Sequence, residues 1–222
     1  MTIPAAGEDF CCSWSGGKDS CLALHRAISG GAIPRALLTV FTEDETRTRS
    51  HGLHRSVVEA QAEALGLELR TVSASWENYR DSLVALLQEA RQDGMGSVVF
   101  GDIDIEVHRD WELGVARDAD MNGSLPLWGF ERREVLEDWW RQQFEARIIV
   151  VRESVMSRDY LGRTLDAEVA SELEAQGIDA CGENGEFHTL ATGGPIFRHS
   201  LKILSGESVK RADCWVEDLR VA

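Results

Sequence analysis

Positive charge is scarce in this sequence: 23 Lys and Arg stand against 38 Asp and Glu, a formal net charge of −15. No extended run of Lys and Arg occurs, and a protein that grips nucleic acid must neutralise phosphates from a basic face, so nucleic acid is excluded as a partner. Long hydrophobic runs are missing as well. No stretch approaches the roughly 18 apolar residues that span a bilayer, which excludes a membrane partner. The start, Met1 to Asp9, has neither a basic segment nor an apolar one, so a soluble, cytoplasmic protein is expected. Cysteine is sparse and odd in number: Cys11, Cys12, Cys21, Cys181 and Cys214 include an adjacent pair and no C-x-x-C spacing, which argues against a disulfide framework or a zinc ribbon. With four prolines and no Pro-rich linker, the parts of the chain are expected to pack closely. Repeats and low-complexity segments are absent. What remains is 222 residues, 43% hydrophobic and 27% charged, enough to bury a substantial core.

The pattern along the chain alternates. Phe10 to Trp14 is a short apolar run ending in Ser15-Gly16-Gly17, and Ser20 to Ala27 has helical character. Ala36 to Phe41 reads as a buried strand, Arg55 to Leu65 as a helix ended by Gly66, and Glu68 to Val72 as a strand. Asn78 to Gln92 is an amphipathic helix, and Ser97 to Phe100 a strand stopping at Gly101-Asp102. Strands alternating with helices predict βαβ units and an α/β, Rossmann-like, doubly wound parallel sheet. After Pro126-Leu127-Trp128-Gly129 the pattern changes: helix from Arg133 to Phe144, strand from Arg147 to Val151, helix from Asp166 to Gln176, a glycine-rich polar segment from Gly182 to Gly194, and β-like stretches at Ile196 to Leu204 and Cys214 to Leu219. This places residues 1–129 in a nucleotide-binding domain and 130–222 in a smaller α+β portion, with Trp139 and Trp140 expected to pack between them.

Two motifs carry chemistry. Ser15-Gly16-Gly17-Lys18-Asp19-Ser20 lies between the first strand and the first helix, where an open α/β sheet presents a helix N-terminus to its ligand. The glycines let backbone N–H groups converge on an anion, Lys18 adds a point charge, and Ser15 and Ser20 add hydroxyls. Neither G-x-x-x-x-G-K-[ST] nor G-x-G-x-x-G fits. The second motif, Cys181 to Thr189, packs Glu183, Asn184, Glu186, His188 and Thr189 together ahead of Gly193-Gly194-Pro195; such a run is too polar for a core, and a solvated loop is the alternative.

The first motif resembles the PP-loop, S-G-G-x-D-S, of the N-type ATP pyrophosphatases, a Rossmann-like group that splits ATP into AMP and pyrophosphate; it matches at Ser15, Gly16, Gly17, Asp19 and Ser20. Joined to G-E-x-G-E-F-H-T and Gly194-Pro195-Ile196-Phe197, the chain resembles the diphthine-ammonia ligase family. Gly101-Asp102-Ile103, the Arg109 and Glu112 pair, Pro126-Leu127-Trp128 and Tyr160-Leu161-Gly162 fall in family order, so the likeness covers nearly the whole chain. It implies an AMP-forming ligase that adenylates a carboxylate and lets ammonia displace AMP, with ATP and Mg²⁺ as cofactors. Diphthine on elongation factor 2 is the best-known acceptor. The chain stops at residue 222, without the further C-terminal domains of some eukaryotic members, and Phe100 to Ile103 resembles the bacterial members, so a small molecule such as a cobalamin precursor, or an ATP-binding sensor without catalysis, stands as the alternative. A homodimer is the expected assembly.

Roles follow for named residues. Ser15, Gly16, Gly17, Lys18 and Ser20 are expected to hold the phosphates, and Asp19 and Asp102 the magnesium. Arg109, paired with Glu112 at helical spacing, is expected to clamp a carboxylate or the α-phosphate; a surface ion pair is the equal alternative. Glu183 and Glu186 offer a general base for ammonium and a site that attracts it. Asn184, His188 and Thr189 would orient the substrate, and Trp128 would offer an aromatic face to a quaternary ammonium. Asp102 reads equally well as a helix cap. Cys181 reads as a buried structural cysteine, because neighbouring carboxylates oppose its ionisation. In His51-Gly52-Leu53-His54, two histidines without a third ligand are a weak metal signal; substrate contact or helix entry suits them better.

Overall fold

The computed structural model describes residues 2–222. The expected alternation is present as β1 (Asp9–Ser13), α1 (Lys18–Ser29), β2 (Ile33–Phe41), α2 (Arg55–Leu65), β3 (Glu68–Ser73), α3 (Tyr79–Gln92), β4 (Ser97–Val99), α4 (Glu106–Asp118) and β5 (Asn122–Ser124). These strands form one sheet in the order β3-β2-β1-β4-β5, parallel throughout. Strand side chains alternate between faces, and here both faces are covered. Phe10 and Cys12 belong to one core with Leu22, Leu24, Val57 and Val58 of α1 and α2, while Cys11, between them, belongs to a second core with Leu83, Leu87 and Val115 of α3 and α4. Helices on both faces explain why these strands read as unbroken apolar runs.

The rest of the chain supplies α5 (Arg132–Arg141), β6 (Glu145–Arg152), a 3₁₀ turn (Arg158–Tyr160), α6 (Ala167–Ala175), β7 (Phe187–Gly193), β8 (Ile203–Leu204), β9 (Ser208–Arg211), β10 (Cys214–Glu217) and β11 (Arg220–Val221). A second, antiparallel sheet runs β7-β6-β10-β9, and β11 pairs with β8. Trp139, Ile148 and Leu190 share the first core with β1 and α1, so the two sheets enclose common apolar volume. Trp139 is fully buried and stacks on Phe144 at 4.6 Å. The indole N–H of Trp140 donates to Leu165 O at 2.9 Å.

Three expectations need correction. The helix from Arg133 stops at Arg141, because Gln143 takes a left-handed conformation (φ 59°) that folds Phe144 back onto Trp139. The polar segment 182–194 is half strand: Phe187–Gly193 is β7, with Leu190 and Ala191 fully buried. Ile196 to Leu204 is largely irregular, since Arg198 N–H turns to Ala64 O and Leu201 N–H to Thr192 O instead of joining a ladder. Among the described residues, no helix is long and apolar enough to cross a membrane.

Candidate active site

In this strand order the chain leaves β1 toward β2 on one side and crosses back from β3 to β4 on the other, which opens a crevice beyond the carboxyl ends of β1 and β4. The chain fills its rim with the glycine loop. Gly16 has φ +85°, and a Cβ there would meet Leu53 Cδ1 at 2.6 Å and Gln61 Oε1 at 2.9 Å, so both conformation and space demand glycine. Gly17 precedes α1, whose first N–H, that of Lys18, donates to Thr189 Oγ1 at 3.1 Å. Ser15 Oγ lies 3.1 Å from Ser20 Oγ and accepts from Gly17 N–H at 3.3 Å. Gln61 braces the loop from beneath: fully buried, it accepts from the Trp14 indole at 2.9 Å and donates to Gly16 O at 2.9 Å and Ala191 O at 2.8 Å. Ala191 N–H also donates to Gly16 O. The loop and β7 are thereby one rigid unit.

A cleft of about 770 Å³ opens above this loop. Its first wall is acidic. At Gly101 a Cβ would come within 2.8 Å of Ser20 N and 2.9 Å of the Asp19 carbonyl carbon, and this close approach puts Asp102 beside Asp19. Lys18, almost fully buried, is engaged by its neighbours: its Nζ donates to Asp19 Oδ2 at 2.8 Å and to Cys181 O, with Glu183 Oε1 at 3.6 Å. Asp179 sets the acidic turn by accepting from the N–H groups of Cys181 and Glu183, both at 3.0 Å, and is itself held by Arg132 at 2.6 Å. Burial, then the charge of Asp19, pushes Glu183 up to about 8, with Lys18 pulling the other way. Asp19 is raised by burial and by Asp102 against the pull of Lys18, and Glu112 is raised well above the carboxylate range by burial and by Asp102. Burial pulls Lys18 down, but the surrounding acids outweigh it and hold it above the ordinary lysine value.

The opposite wall is imidazole. His51, from the β2–α2 connection, and His188, from β7, have ring centroids 4.5 Å apart, and both line the cleft. Burial and the cations Lys18 and Arg152 bring His188 down to about 4. His51 is lowered well below its usual value by burial, His188 and Lys18. His54 is the residue before α2, with Nε2 3.0 Å from Asp218.

Ser15, Lys18, Asp19, Ser20, Asp102, Glu112, Glu183, Asn184, His188 and Thr189 therefore meet in one cleft, with Gly16 and Gly17 forming the turn beneath it. Four expectations do not hold as stated. Arg109 pairs with Asp110 at 2.8 Å, not with Glu112, because Glu112 sits on the inward face of α4 opposite Asp102 while Arg109 folds outward over the Trp128 ring, 4.7 Å from its centroid. Trp128 thus has its aromatic face taken by a cation of its own chain, and neither it nor Arg109 lines the cleft. Glu186 is buried behind the acidic turn, accepting from Asn184 N–H at 2.9 Å and Asn184 Nδ2 at 3.1 Å. It braces the loop and leaves the cleft to Glu183. Lys18, finally, is a counter-ion for carboxylates before it is a ligand for phosphate. Sequence reasoning passed over Gln61 and Asp179; a glutamine on the apolar face of a helix and an aspartate two residues before Cys181 were the available signals.

Comparison with known proteins bears on the whole chain. The diphthamide synthase N-terminal domain matches residues 10–122, and the diphthamide synthase C-terminal domain matches residues 132–219. The chain belongs to the diphthamide synthase family. Similar proteins include the diphthine–ammonia ligase of Rattus norvegicus, 27% identical over 220 residues spanning 88% of this chain and 82% of that protein. The diphthine–ammonia ligase of Homo sapiens is 25% identical over the same shares, and that of Danio rerio 25% identical over 90% of this chain and 88% of its own. In this member of the diphthamide synthase family, the cleft also suits a magnesium ion. Asp19 Oδ1 is buried without a hydrogen-bond partner, and donor atoms of Asp19, Glu183 and Cys181 lie within 4.8 Å of one another. Burial keeps the Cys181 thiol protonated, so the available ligands are hard carboxylate oxygens, the kind magnesium prefers.

Proposed function

We propose that this protein is an ATP-dependent ammonia ligase that forms AMP and pyrophosphate while converting a carboxylate into an amide. The observation that carries this reading is the juxtaposition, at the carboxyl ends of β1 and β4, of a glycine loop opening onto a helix N-terminus with the carboxylates Asp19, Asp102 and Glu183. The loop's N–H groups and the α1 dipole suit phosphate. Asp19 and Asp102, with Glu183 near them, would hold Mg²⁺, which when bound neutralises phosphate charge. Residues 1–129 take the nucleotide in this reading, and 130–222 bring Glu183 and close the acceptor side.

The chemistry runs in two displacements. An oxygen of the acceptor carboxylate attacks the α-phosphorus and pyrophosphate departs; ammonia then attacks the activated carbonyl and AMP departs. Fixed geometry is the largest contribution this chain makes to the first step, since in-line positioning replaces a bimolecular encounter. The second step needs ammonia as the free base. Glu183, at the cleft and 3.6 Å from Lys18 Nζ, takes the proton from ammonium once it is ionised; burial and Asp19 hold it protonated in the free protein, and a bound cation beside it would favour the ionised form. An ATP sensor has no use for a carboxylate cluster aimed at its nucleotide, which sets that alternative aside.

The experiment is incubation with Mg²⁺, ATP and ¹⁵N-ammonium in the presence of a diphthine-bearing protein, and separately of small carboxylic acids. AMP, pyrophosphate and ¹⁵N-labelled amide in equal amounts are expected with one of them. ADP and phosphate as products, or no nucleotide turnover with any acceptor, would overturn the reading.

A further inference from the structure

The two imidazoles facing the phosphate loop are a device the scheme above leaves unused. His51 and His188 arrive from different parts of the fold and stand 4.5 Å apart. A Cβ on Gly17 would lie 2.9 Å from His51 Nε2, so this ring sits directly over the residue that opens α1, where helix N–H groups receive phosphate. His51 Nδ1 is buried without a hydrogen-bond partner. The charges acting on the pair are Lys18 from α1 and Arg152 from β6, both positive. Of the carboxylates lining the cleft, Asp19 and Glu183 are turned to Lys18 and Asp102 to His108. Burial and two cations therefore keep both rings neutral in the free protein.

A polyphosphate on the loop reverses this field, because nearby negative charge favours the protonated ring. We propose that the His51–His188 pair takes up one proton from solvent when a nucleoside triphosphate seats on the glycine loop, and gives that proton to pyrophosphate as it departs. The second half rests on the AMP-forming reading. As the acceptor oxygen bonds to the α-phosphorus, the bond from that phosphorus to the bridging oxygen breaks, and its electron pair stays with pyrophosphate. The imidazolium's proton goes to that pyrophosphate, and the ring returns to its neutral form. Uptake stops at one because two rings this close cannot both carry charge at neutral pH.

The test is calorimetric titration with α,β-methylene-ATP and saturating Mg²⁺ at pH 7, in buffers of different ionisation enthalpy. About one proton per nucleotide should be taken up, and affinity should fall by up to about tenfold per pH unit above neutrality. His51→Asn combined with His188→Asn should bring uptake near zero. No uptake in the unmodified protein, or undiminished uptake in the double variant, would overturn the proposal; failure of the nucleotide to bind the unmodified protein would instead remove the ATP reading itself. Should the double variant not fold, ¹³C NMR of the unmodified protein decides: the two cleft imidazoles must move toward the imidazolium shift on nucleotide addition, and unchanged shifts overturn it. For the transfer half, single-turnover pyrophosphate release should fall by at least about 100-fold in a folded double variant, and an unchanged rate would remove it.

Discussion

The two walls of the cleft obey one rule with opposite signs. On the acidic wall, burial and like charge raise Asp19, Glu112 and Glu183; on the imidazole wall, burial and positive neighbours lower His51 and His188. Desolvation disfavours charge on either kind of group, so both walls lean toward neutrality until a ligand brings its own charge. Lys18 is the exception between them, charged because three oxygen-bearing neighbours surround it. The contrast teaches that the positive charge closest to the phosphate loop is already engaged. In the proposed reading, phosphate would be met by backbone N–H groups, by a metal and by a ring that becomes cationic on demand.

The largest effect that would break this comparison is removal of Lys18. Lys18→Met leaves Asp19 and Glu183 facing each other in a buried site, and loss of one partner of a buried ion pair costs about 3–5 kcal/mol. At pH 8 the urea midpoint should drop accordingly, and activity should be lost. The deficit should shrink as pH falls, when the abandoned carboxylates accept protons. Were Lys18 a free phosphate ligand, stability would be unchanged and only the KM for ATP would rise; that result would dissolve the contrast between the walls.

The legibility of this site from sequence divides along the same line. The loop was readable because its chemistry is local: Ser15 to Ser20 are contiguous, and a glycine pair between a strand and a helix has few other uses. The parallel sheet was readable for a similar reason, since strands covered on both faces are apolar without interruption. The cleft's walls were not readable in detail, because they depend on which way a side chain turns. Glu183 and Glu186 lie three residues apart, yet one faces the cleft and the other is folded back on Asn184. Nothing in the spacing of Arg109 and Glu112 tells that burial draws Glu112 inward while Trp128 captures Arg109. His51 and His188, separated by most of the chain, meet only because β7 packs against the loop through Gln61.

A second effect, of middle size, sharpens the acidic side through pH. Burial and Asp19 push Glu183 up to about 8 in the folded protein, above an unfolded value of about 4.3. Below the unfolded value the group is protonated in both states and costs nothing. As pH rises between the two values the unfolded chain sheds the proton and the folded one retains it, so stability drains away by at most about 1.4 kcal/mol per pH unit. Asp19, also raised, acts in the same direction. Glu183→Gln should flatten this decline between pH 5 and 8 in denaturation curves, and Mg²⁺ should flatten it in the unmodified protein by favouring the ionised carboxylates. Parallel curves for variant and parent would show that Glu183 is not the strained member of the cluster.

The smallest expected effect sets the two glutamates of one motif against each other. Glu186 accepts two hydrogen bonds from Asn184 on its two oxygens, and a carboxamide retains one acceptor, so Glu186→Gln should lose about 1 kcal/mol of stability with little change in kcat. Glu183→Gln should form the adenylate, seen as ATP–pyrophosphate exchange, but release little amide. Measuring amide and exchange in both variants separates a group that faces ammonium from one that holds a turn in shape. If instead Glu186→Gln abolishes the amide and spares exchange while Glu183→Gln behaves normally, the proton acceptor lies behind the turn, and the turn must open during the reaction to expose it.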